Sequence, residues 1–135
     1  MYLIISTLPH FCSILPLIKY YRNYTFGYIS IIIVSSTFSI LYHLTKESNY
    51  LITYLDYLFA ILWAIYDLYF GYTLRNNKTL YSIILGNSIV FIINMQIPYD
   101  QNYMLNHSIW HTINACKCFY ISFAIGNTIS KIDKL

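Results

Sequence analysis

Apolar residues run through this chain in long blocks. The polar positions gather in short clusters between them: KYYRNY at 19–24, TKESN at 45–49, RNNK at 75–78 and YDQNY at 99–103. Each block approaches the ~20 residues that carry a helix across a bilayer core. The pattern predicts five helices, over roughly 2–18, 25–44, 50–74, 79–97 and 105–129. Pro9 and Pro16 interrupt the first, since proline removes a backbone donor and crowds the preceding turn. Connections this short force successive helices to run antiparallel.

Composition agrees with the pattern. Of 135 residues, 58% are hydrophobic and 10% charged, and the mean hydropathy is +0.52; ordinary soluble domains carry about 25% charged residues. The expectation is an all-α integral membrane protein, a single domain over 1–135 folded as a compact helical bundle. MYLIISTLPHFC has no positively charged leading region, so it reads as a spanning helix rather than a cleaved signal. The net charge of +3 is too small and too scattered to suggest nucleic acid as a partner. Cys12, Cys116 and Cys118 all fall in apolar stretches and are read as small core residues, not a disulfide framework. Sixteen tyrosines, many beside the breaks, fit an interfacial aromatic belt.

Against this background NHSIWHTINACK, 106–117, is unexpectedly polar. Connectivity gives it company. Ser39 and His43 end the second predicted helix, and Asp56 follows near the start of the third, across the TKESN break. The third helix crosses the membrane and the fourth returns, so the fifth starts on the same face, with His107 and His111 in its first turns. Residues four apart share a helix face ~6 Å apart, close enough for two imidazoles to reach one ion. Two such histidines alone are more often packing residues, but a third histidine and a carboxylate at matching depth shift the balance toward a metal. Three neutral imidazoles beside a carboxylate suit a catalytic zinc whose fourth position is left to water.

The ordered set Ser39-x-x-x-His43, Asp56, His107-x-x-x-His111 resembles the signature of the CREST superfamily of membrane proteins. That superfamily includes alkaline ceramidases, progestin and adiponectin receptors and the Per1 lipid-remodelling proteins. Within it, NYMLNHSIWH is most similar to the myomaker-like branch. The resemblance implies that His43, His107 and His111 hold Zn2+ and that Asp56 is the general base. Ser39 is either a donor to the developing oxyanion or a helix serine bonded back to its own backbone. The implied substrate is a membrane lipid, cleaved at an amide or ester bond by water whose pKa zinc lowers from 15.7 to about 7. A receptor-like or fusion-related protein with a purely structural zinc is the alternative.

The chain departs from that family in length. Seven helices are usual there, with three between the Asp-bearing and the paired-His helices, and this chain has room for one. An odd number keeps the site on one face, while two walls of a lipid pocket are lost. A homo-oligomer would supply them, or the cleft opens to the bilayer.

Other polar residues have plainer expectations. His10 has no spaced partner and reads as a hydrogen-bonded packing residue. Cys118 lies ~10 Å deeper than His111, too far for the same ion. Trp63 and Trp110 are packing residues or interface anchors, and Asn114 either fixes an imidazole from one turn away or bonds across helices. Asp67 lies ~16 Å deeper than Asp56 and Lys117 ~15 Å deeper than His107, so they reach one level and either pair or part, with Lys117 snorkelling to an interface. Lys19, Arg22, Arg75, Lys78, Lys131 and Lys134 fall on one membrane face and Lys46 on the other. By the positive-inside rule the C-terminus is cytoplasmic and the metal site faces the lumen or exterior.

Overall fold

A computed structural model describes residues 2–19, 23–45, 48–73, 78–94, 96 and 101–132. All its elements are helices: α1 (Tyr2–Thr7), α2 (Pro9–Cys12), α3 (Leu15–Ile18), α4 (Asn23–Leu44), α5 (Tyr50–Thr73), α6 (Lys78–Asn94) and α7 (Gln101–Ile132). The continuous first helix expected over 2–18 is instead three short pieces. Pro9 and Pro16 each open a new piece, because neither has an N–H to continue the helix before it. Tight bonds bridge the joints, from the Phe11 amide to the Leu8 carbonyl at 3.1 Å and from Leu17 to Ile14 at 2.9 Å.

The four long helices keep close to the predicted ranges. Asn49 fixes where α5 begins: its Oδ1 accepts from the amides of Leu51 at 3.1 Å and Ile52 at 3.2 Å, groups that otherwise have no partner. The most displaced boundary is the start of α7, four residues earlier than predicted, which puts His107 and His111 in its second and third turns.

Successive long helices pack side by side, and the N-terminal pieces close the ring by packing on both α4 and α7. Tyr28, Ile32, Phe70, Leu80 and Ile121 fill the interior. At Gly27 the Tyr66 side chain of α5 reaches onto α4 so closely that a Cβ would stand 2.7 Å from its hydroxyl. α5 and α6 are in contact less extensively than α4 and α5 or α6 and α7.

Large apolar side chains stand on the outside of the bundle, and several polar and charged ones are buried within its apolar core. Ile61, Ile65, Leu68, Leu85 and Ile92 are exposed, while His10, Ser36, Asp67, Asn114 and Lys117 are buried. This is the distribution that a hydrocarbon solvent favours. Two helices, Thr25–Leu44 and Tyr50–Thr73, are long and apolar enough to cross a membrane; Leu3–Ile18 and Lys78–Asn94 are apolar but shorter. Tyr50, Tyr54, Tyr69 and Tyr72 stand exposed toward the two ends of α5. Of the loop charges on which the expected orientation rests, Arg22, Lys46, Arg75 and Lys134 lie outside the described residues.

Asp67 and Lys117 do pair. The Lys117 ammonium donates to Asp67 Oδ2, the Tyr28 hydroxyl donates to Asp67 Oδ1 at 2.8 Å, and the ammonium lies 5.2 Å from the centre of the Trp63 ring. With Asp67 1% and Lys117 4% exposed, the pair ties α5 to α7 inside the bundle, and Tyr28 adds α4.

Candidate metal centre

Three histidines converge at one end of the bundle. His43 comes from the last turn of α4, and His107 and His111 come from adjacent turns of α7. One ligand nitrogen from each lies within 4.8 Å of the others. Ring centroids are 5.1 Å apart for His43 and His107, 5.4 Å for His43 and His111, and 4.7 Å for His107 and His111. The i, i+4 spacing accounts for the α7 pair; only packing of the whole bundle brings in His43.

The cluster fits a metal ion. Nε2 of His43 and Nε2 of His111 face each other at 3.2 Å, close to the ~3.3 Å edge of a tetrahedron with metal–nitrogen bonds of ~2.0 Å. Nδ1 of His107 and Nδ1 of His111 are buried without a hydrogen bond. Imidazoles that hold zinc usually donate their second nitrogen to a neighbour, so ring packing orients these instead: Tyr103 and Trp110 lie against His107, and Trp110 and His10 against His111. Three imidazoles accept zinc, copper, nickel or iron alike.

Asp56 and Ser39 are not part of the converging set. Ser39 is buried one turn before His43, and Asp56 is half-buried on α5. Both line a cavity of about 250 Å³ that also touches His111. The cavity continues inward to Asn114 and Lys117, and its lining from α5 and α6 is largely apolar, with Ala60, Ala64, Ile65, Phe91 and Ile92.

His10 takes the packing role expected of it, yet it is not partnerless. Its Nδ1 donates to the Thr7 carbonyl at 2.7 Å and its Nε2 accepts from Asn114 Nδ2 at 2.9 Å, so neither nitrogen is left for a metal. Asn114 thus bonds across helices, to His10 and to Asn87, rather than to a member of the histidine cluster. Trp63 and Trp110 are packing residues beside the cavity. The cysteine reading needs correction: all three are free, but only Cys118 is buried, and Cys12 and Cys116 are exposed because they fall on outward faces of their helices.

Asn87 and Tyr28 escape a reading of the sequence alone. For Asn87 the available signal is an amide isolated in the apolar run LGNSIV, at 85–90. No family model, curated protein or solved structure matches this chain, so the histidine cluster and its cavity carry the functional reading.

Proposed function

We propose that this chain is a membrane-embedded, zinc-dependent hydrolase of lipid amide or ester bonds, a shortened relative of the CREST proteins it resembles. The observation that carries this reading is the position of the cavity. It joins His111, one member of the three-histidine cluster, to Asp56 and Ser39 and extends along a largely apolar lining from α5 and α6. A clamp with a purely structural metal needs no such opening and is usually closed by a fourth protein ligand.

His43, His107 and His111 would hold the ion. Zinc, when bound there, supplies Lewis acidity and makes hydroxide available at neutral pH. The remaining work falls to this chain's own side chains. Asp56 takes the proton of the attacking water on a carboxylate oxygen, and the Ser39 hydroxyl donates to the substrate carbonyl oxygen as that atom gains charge. The apolar lining admits the lipid chain from the bilayer and keeps bulk water out.

The test is incubation of the purified protein with a lipid panel, with product detection by mass spectrometry. Chelator and Asp56→Asn should each abolish product. Product formation that survives both would reject the assignment.

A further inference from the structure

The cavity carries a second set of polar groups, away from the histidine cluster, that neither metal binding nor packing uses. Their orientation follows from one backbone carbonyl. His10 Nδ1 lies 2.7 Å from the Thr7 oxygen, and a carbonyl only accepts, so Nδ1 bears a proton. Buried in an apolar bundle the ring is neutral, which leaves a bare lone pair at Nε2. Asn114 must therefore present its Nδ2 there, at 2.9 Å. Its Oδ1 is then turned to Asn87, which donates from Nδ2 at 3.1 Å. Reversing any one amide would set two donors or two acceptors face to face.

The chain of bonds ends on Asn87 Oδ1, an acceptor that is buried and bonded to nothing in the protein. Ser36 Oγ, on α4, is in the same condition, and both residues line the cavity. Asn87 is 8% exposed and Ser36 1%. Both lie inward of the histidines: Ser36 ~10 Å along α4 from His43, and Asn114, which holds Asn87, ~5 Å along α7 beyond His111. Two buried, unpaired polar atoms each cost free energy unless a ligand or water completes them.

We propose that Asn87 Oδ1 and Ser36 Oγ form a subsite for the hydroxyl of a lipid, roughly 5–10 Å inward from the histidines. A hydroxyl suits the pair because it donates to Asn87 Oδ1 and accepts from Ser36 Oγ–H. An amide N–H would satisfy only the first, and an ether oxygen only the second. The subsite rests on the reading of the cavity as open to lipid, but not on hydrolysis.

The experiment measures binding of a long-chain primary alkanol and of its methyl ether to the protein in phosphatidylcholine nanodiscs, followed by the fluorescence of Trp63 and Trp110, which line the cavity. The wild-type protein should bind the alkanol about tenfold more tightly than the ether. Asn87→Leu should bring the alkanol down to the level of the ether and leave ether binding in place. Equal binding of the two by the wild type would assign the acceptor to water and overturn the proposal, as would an alkanol preference that persists in Asn87→Leu.

Should that variant fail to fold, an alkanol carrying a diazirine beside its hydroxyl serves on the wild type. Labelling at cavity-facing positions of α4 and α6 supports the subsite, and labelling confined to the outer apolar residues overturns it. The alkanol preference should be the same in zinc-loaded and chelator-treated protein. A protein that shows it without hydrolysing any lipid would reject the hydrolase and keep the subsite.

Discussion

His43 Nε2 and His111 Nε2 stand 3.2 Å apart although 68 residues separate them in the chain. Both nitrogens are acceptors when unprotonated, so without a shared cation one ring must carry its proton toward the other. A metal ion would instead take both nitrogens as acceptors, and His107 offers a third within 4.8 Å.

The protein should therefore purify with about one zinc per chain. Replacing His43, His107 or His111 singly by alanine should lower zinc content, measured by elemental analysis, while Asp56→Asn should retain it. Full occupancy in His107→Ala combined with His111→Ala would sink the assignment.

Acid should release the metal. Each ligand imidazole must be unprotonated, and free imidazole gains its proton near pH 6.5. The stabilisation that zinc adds is thus present at neutral pH and lost as pH falls and protons compete for the nitrogens. A titration of retained zinc from pH 8 to about 5 should show cooperative loss in the acid half of the range; retention unchanged to pH 5 would contradict the ligand set.

His10→Gln should leave zinc content unchanged, because both nitrogens of His10 are already engaged by Thr7 and Asn114. Asn114→Leu should instead cost ~1–3 kcal/mol of stability, since it strands His10 Nε2 and Asn87 Nδ2 in the interior. Denaturant titration in detergent micelles measures the second effect. A fall in zinc on His10→Gln would place His10 in the coordination sphere.

The buried Asp67–Lys117 pair predicts non-additive mutations. Asp67→Asn or Lys117→Met alone should cost ~3–5 kcal/mol, because each leaves an uncompensated charge. The double variant should recover most of that loss. Tyr28→Phe, which removes a 2.8 Å bond to the carboxylate, should cost ~1.5–3 kcal/mol. Additive single and double effects would show that the two charges are independently solvated.

Charge placement predicts a cytoplasmic C-terminus and a histidine cluster facing the lumen or exterior. In selectively permeabilised cells a C-terminal tag should be reached once the plasma membrane alone is opened. A tag protected until the luminal side is opened would reverse the orientation.

The sequence by itself determined whatever depends on position along a helix. The apolar blocks bounded α4 and α5 to within two residues. Rise per residue placed Asp67 level with Lys117, and the i, i+4 spacing set His107 and His111 on one face. Rise is a local quantity that simply adds up. The tertiary structure decided how each helix is rotated about its axis and which side chains therefore meet. That rotation comes from the packing of every neighbour at once, as at Gly27 against Tyr66. It brought His43 Nε2 to His111 and left Asp56 lining the cavity outside the converging nitrogens. It also gave His10 a partner 104 residues away in Asn114. The breaks at Pro9 and Pro16 were visible in the sequence; that the pieces between them would reach both α4 and α7, and so close the bundle beside the histidine cluster, was not, because it depends on contacts between residues far apart in the chain.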